Sequence, residues 1–133
     1  MHGTFRPDTS AVTEARHLIA GSLEAWQLGA LVPTAELAVS ELVANAVRHG
    51  RGGVEVRVFA SATKVRIEVR DRGGGRPSIR EPHRAGPDVG GWGLRLVDQL
   101  ADDWGTRVRP DDTLVWAELS APPPDDGSTA TGS

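Results

Sequence analysis

Three groups of residues in this chain have types and spacing that could do chemistry. In the first, Glu41 and Asn45 stand four apart in Glu41-Leu42-Val43-Ala44-Asn45, which continues to Arg48-His49-Gly50. On a helix that spacing sets a carboxylate beside a carboxamide. A carboxylate can act as general base toward a water or hydroxyl, and a carboxamide oxygen is a hard ligand suited to Mg²⁺. The same pair also occurs on plain solvated helix edges, so spacing alone does not make it a site. The second group is Asp71-Arg72-Gly73-Gly74-Gly75. An Asp at a strand end can accept a hydrogen bond from an exocyclic amine, and glycines let a ligand approach the backbone closely. A turn rich in Asp and Gly is the plainer reading. The third group, Gly90-Gly91-Trp92-Gly93, feeds a helical pattern starting at Leu94. A helix N-terminus offers unpaired N–H groups and a positive dipole end, which together suit phosphate. Arg95 either adds a cation there or is a surface residue. No Gly-Lys-Ser/Thr follows, and no G-x-G-x-x-G follows a strand, so neither a P-loop nor a Rossmann reading is supported.

Other chemistries drop out. The chain has no cysteine, which excludes disulfides, thiolate nucleophiles and Cys-based metal centres. His2, His17, His49 and His83 show no metal-ligand spacing. The net charge of -3 and the absence of any basic block argue against direct nucleic-acid binding. Met1–Ser10 has no apolar signal region and no window approaches a membrane-spanning run, which points to a cytoplasmic protein with no membrane contact.

These groups need elements to position them. A weak edge strand is expected at Thr4–Arg6. Thr9 or Ser10 caps a first helix, with Glu14 early in it, running to about Leu28 with Gly29 as its stop. Pro33–Gly50 is the second helix, with Ala35, Ala38, Val39, Leu42, Val43, Ala46 and Val47 as its buried stripe. Val54, Val56 and Val58, then Val65, Ile67 and Val69, alternate with charged residues as two strands joined by Ser61-Ala62-Thr63. Asp71–Gly93 is a Gly/Pro-punctuated loop that suits a lid hinged at both ends. A third helix starts near Leu94 and ends at Trp104-Gly105. Thr106–Arg109 and Thr113–Leu119 follow as strands around Asp111-Asp112, and the four tryptophans read mainly as packing residues. Ala121–Ser133 is low-complexity and reads as a disordered tail. This order predicts an α+β two-layer sandwich, with a mixed, mostly antiparallel sheet covered on one face by about three helices.

The three groups, in this order, resemble the ATP-binding family shared by DNA gyrase, heat-shock chaperones, sensor histidine kinases and MutL-type repair proteins, known as the GHKL or Bergerat-fold family. ELVANAVRHG is similar to its N box, DRGGG to its first glycine box and GGWGLRLVDQLAD to its second. Small size and a short lid make the chain most similar to anti-sigma-factor serine/threonine kinases and related actinobacterial regulators. The resemblance implies ATP and Mg²⁺ as ligands, with residues 1–120 as one ATP-binding domain and a lid over about residues 76–92. It implies that Asn45 binds Mg²⁺ and bridges to the phosphates, and that Glu41 is the catalytic carboxylate. Asp71 would read the adenine amine, with Gly73 and Gly75 shaping its pocket. Gly91, Gly93 and the backbone at Leu94 would close on the phosphates. Thr113 would hold adenine through water, although Asp112 replaces the usual preceding Gly. The implied partner is a small antagonist protein, a sigma factor, or both. A non-catalytic, ATP-dependent interaction module would use the same pocket, and a ligand-free structural domain is the third reading. The apolar run Val54–Phe59 and the N-terminal edge leave room for a homodimer.

Overall fold

The computed structural model describes residues 1–8, 10–49, 52–72 and 92–121. Thr9, Gly50, the glycines of the first glycine group, most of the expected lid and the tail from 122 lie outside them. In chain order the elements are β1 (His2–Phe5), α1 (Ser10–Ala25), a 3-10 turn (Gly29–Leu31), α2 (Val32–His49), β2 (Val54–Ala60), β3 (Lys64–Arg72), α3 (Trp92–Leu100), β4 (Asp103–Val108) and β5 (Asp112–Ser120).

The alternating valines dictate the sheet. Val54, Val56 and Val58 of β2 face the same side as Val65, Ile67 and Val69 of β3, and all are buried. Their neighbours Glu55, Arg57, Arg66, Glu68 and Arg70 therefore stand on the opposite face. The sheet has the order β1-β2-β3-β5-β4, and its four pairings are antiparallel. Helices α1 and α2 pack on the valine face, and α3 packs on α2 and β4. This is the expected α+β sandwich, with one wet face. The predicted stripe of α2 is buried, with Val47 at its margin. A buried residue such as Leu42 anchors this interface, and Leu42→Ala costs about 2–5 kcal/mol by loss of burial plus a cavity.

Several boundaries differ from the sequence expectation, each for a local reason. The edge strand forms at His2–Phe5, where it pairs with β2 from Val54 to Arg57. At the start of α1 the cap is Asp8, whose carboxylate accepts hydrogen bonds from the Ser10 N–H at 2.9 Å and the Ser10 hydroxyl at 2.5 Å. Those bonds hold the Asp8 carboxyl below its usual pKa, and Glu14 lies beyond the first turn. At the other end α1 stops at Ala25, before the expected glycine. Gln27 takes the left-handed conformation (φ 64°), while Leu28 N–H reaches Leu23 O at 2.7 Å and Gln27 N–H reaches Glu24 O at 3.1 Å. This is a Schellman end made by a glutamine. Leu28, packed against the core, supplies its hydrophobic contact.

Trp104-Gly105 does not end α3; both residues lie inside β4. Gly105 sits opposite Trp116 of β5, and a Cβ at Gly105 would meet Trp116 Cζ2 at 2.8 Å. The glycine is there so that an indole can lie over the strand, not to break a helix. Trp116 belongs to the outer face, with Arg66 stacked 4.3 Å from its ring centre. Trp104 Nε1 donates to Asp98 Oδ1 at 2.8 Å, tying α3 to β4. The membrane expectation also needs correction. By length and composition Gly29–Arg48 is apolar enough to cross a membrane, with a mean hydropathy of 1.3. In the fold, the apolar side of α2 is the sheet-facing stripe.

Candidate functional site

The inner face of a two-layer sandwich should be apolar, so polar residues found there need a reason. Among the described residues four side chains qualify: Ser22, Asn45, Asp71 and Thr113. Ser22 is accounted for within its own helix, donating to Leu18 O at 2.7 Å. The other three were singled out by sequence.

Asn45 lies on α2, 1% exposed, and its Oδ1 has no hydrogen-bond partner among the described residues. A buried carbonyl oxygen without a partner costs about 1–3 kcal/mol. Glu41 precedes it by about one helical turn, half-buried, and makes no ion pair among the described residues.

Asp71 ends the valine series of β3 on the inner side and is 7% exposed. Thr113 of β5 is its direct cross-strand partner, and Val54 of β2 flanks it on the other side. No side-chain hydrogen bond to Asp71 is made among the described residues. Burial, followed by the nearby charge of Asp112, pushes its carboxyl up from 3.8 to about 6. It is thus a partly protonated acceptor near neutral pH, poised for a donor that would fix its charge.

Chain connectivity puts these residues at one end of the sandwich. His49 at the end of α2 and Val54, beside Asp71, are five residues apart, a span of at most about 18 Å. Asn45 is one turn inside that helix end. The C-terminal end of α3 is anchored by Asp98 to Trp104, beside the far end of β4, so its first turn is the part most distant from that anchor. Gly93 and Leu94 lie in this first turn. Arg95 is exposed. Gly73, Gly75 and Gly91 lie outside the described residues. Among those residues no group of three or more His, Asp or Glu is placed to hold a metal ion.

A family model described as a histidine kinase-like ATPase domain matches residues 5–119. The chain belongs to this family. The match spans all the described helices and nearly the whole sheet, and an ATPase domain implies an ATP site. No curated protein matches the chain. Within this histidine kinase-like ATPase fold, the buried polar groups gather on the side of the sheet that the helices cover.

Sequence reasoning missed one residue that matters here. Asp112 was read as part of a turn and as a departure from a family glycine. It opens β5, points to the outer face, accepts from Arg70 at 3.3 Å, and acts electrostatically on Asp71. The signal available was its place next to Thr113 in an alternating strand.

Proposed function

We propose that this protein is an ATP- and Mg²⁺-binding regulator of the anti-sigma-factor type. It would phosphorylate a serine or threonine of a small antagonist protein, hold a sigma factor, or do both, and work in the cytoplasm. Residues 1–120 would form the single ATP-binding domain. The observation that carries the nucleotide part is the buried, unpartnered Oδ1 of Asn45.

The residues fit the ligands. A lone hard oxygen in a buried position is what Mg²⁺ bridged to phosphates would complete, since this ion takes few protein ligands and keeps the rest from phosphate and water. Asp71, buried and without a donor among the described residues, suits the adenine amine. Thr113, beside it in the ladder, suits a bridging water. Gly93 and the backbone N–H of Leu94, in the first turn of α3, would face the phosphates together with Gly91, while Gly73 and Gly75 would shape the adenine end. Bound Mg-ATP would supply the transferable phosphoryl group. Toward it the protein's part is mainly positioning and charge stabilisation. Glu41 would take the proton from the partner's hydroxyl as its oxygen bonds to the γ-phosphorus and the bond to ADP breaks.

A non-catalytic module would use the same pocket without Glu41, so Glu41 separates the two readings. With Mg-ATP and a candidate antagonist, Glu41→Ala abolishes labelling of the partner and leaves nucleotide affinity within about threefold. If wild-type protein labels no partner while binding ATP, the kinase reading loses to the module. If calorimetry detects no ATP binding, both fall.

A further inference from the structure

β4 closes one side of the sheet, with β5 on one flank and nothing described on the other. The Arg109 N–H bonds Asp112 O at 2.8 Å, so by alternation Arg107, Gly105 and Asp103 also turn their backbone groups toward β5. Trp104, Thr106 and Val108 consequently aim theirs away from β5, toward a side where no described strand pairs with them. The Trp104 N–H is held there by the Asp103 carboxylate at 3.0 Å, a local substitute for a strand partner. Asp103, Gly105, Arg107 and Arg109 share the outer face, while Trp104, Thr106 and Val108 share the inner one. Val108 is 37% exposed, one of few large apolar side chains so open. Neither Arg107 nor Arg109 makes an ion pair among the described residues, although their outer-face neighbours Arg57, Arg66 and Arg70 do.

This strand is complementary to itself when reversed. Paired antiparallel about Thr106, it sets Thr106 opposite Thr106 of the second copy. Trp104 then meets Val108, Gly105 meets Arg107 and Asp103 meets Arg109. The residues facing each other through backbone bonds are the three whose N–H and C=O groups point outward. Opposite charges meet on the outer face, the exposed valine is covered by an indole on the inner face, and each Arg107 finds a glycine across from it. A register shifted to centre on Gly105 sets Trp104 against Thr106 and leaves Val108 with no strand residue opposite, since the Asp102 N–H turns to Glu118 O of β5 at 2.8 Å. β1, with His2-Gly3-Thr4-Phe5, has no charge pattern to specify such a pairing.

We infer that two copies of this chain associate edge to edge through β4, antiparallel about Thr106, joining their sheets into one of ten strands. This does not depend on the nucleotide reading. It moves the dimer surface away from the Val54–Phe59 run and the N-terminal edge considered from sequence. The contact is small, so the association is expected to be weak and concentration-dependent.

Sedimentation of full-length protein across concentrations, with and without charge reversals, tests it. Asp103→Arg alone sets Arg against Arg at both ends of the pairing, and Arg109→Asp alone sets Asp against Asp. Each weakens self-association roughly tenfold or more. An equimolar mixture of the two variants restores opposite charges at both ends and dimerises like wild type. Both residues are exposed, and unchanged circular dichroism melts verify that the variants fold. The proposal is overturned if wild type stays monomeric to about 500 µM, well above the affinity expected of a small interface. It is equally overturned if either variant dimerises as wild type does, or if the mixture stays as monomeric as its components.

Discussion

The two faces of the central sheet treat polar side chains differently. On the outer face, Glu55 holds Arg57 at 3.2 Å and Arg70 at 3.0 Å, while Arg66 reaches Glu68 at 2.8 Å and Glu118 at 3.0 Å and rests on Trp116. Burial works to raise the Glu55 carboxyl, but the Arg57 hydrogen bond and the charges of Arg57 and Arg70 outweigh it and hold the carboxyl below its usual range. On the inner face, Asn45 and Asp71 are more deeply buried and lack such partners among the described residues. Charge density therefore does not mark the site. A polar group kept buried without a described partner is what marks the candidate site, because folding alone would have removed it.

Substitutions on the two faces should therefore separate stability from ligand binding. The largest effect is expected from Asn45→Ala. Calorimetry should show Mg-ATP affinity falling roughly 100-fold or more, about 2.7 kcal/mol. Thermal stability should hold or rise slightly, since the change removes an unsatisfied buried oxygen. A large loss of stability with ATP affinity intact would make Asn45 structural and erase the contrast.

Asp71 sharpens the comparison through pH. Its folded pKa of about 6 lies above the ordinary 3.8. The stability linked to it is thus full below about pH 4 and lost as pH rises through 6. Replacement by Asn should raise stability above pH 6, by at most about 3 kcal/mol, with the gain fading toward pH 4. Denaturant unfolding at pH 4.5 and 7.5 measures this. In the wild type, an amine donated to the carboxylate favours its ionised form, so ATP affinity should weaken as pH falls below 6. Proton release on binding, read by calorimetry in two buffers, checks that sign.

The outer face should give the reverse response, with stability changed and affinity kept. Arg66→Ala removes two ion pairs and the contact with Trp116, and is expected to cost about 1 kcal/mol of stability without changing ATP affinity. Gly105→Ala pushes on the same indole and should cost about 1–3 kcal/mol, again with affinity unchanged. A loss of affinity in either variant would mean that the faces are not separable.

The hydrophobic period carried most of the fold. Valines in alternation and the stripe of α2 determine which side of each strand and helix is covered, because a one-residue shift would expose the whole set. Punctuation was harder to read. Gln27 ends a helix in a conformation usually given to glycine, and Gly105 sits within a strand because of an indole across the ladder, a partner eleven residues later in the sequence. Asp8 caps from two residues before α1. Of the candidate site, Glu41, Asn45, Asp71 and Thr113 were legible as types in an order, but their burial was not, since burial depends on which strands become neighbours. The contribution of Asp112 was invisible for the same reason: it depends on β5 lying beside β3.

That neighbourhood has an electrical side. Asp112 stands on the solvent side of a layer one peptide thick, and Asp71 stands on the other. The field of the first still reaches the second, so the sheet separates the compartments for water but does not insulate them for charge. Arg70 in turn holds the Asp112 carboxylate on that outer side, donating to it at 3.3 Å. The floor of the candidate pocket is therefore influenced from outside, by a carboxylate that no ligand in it would touch.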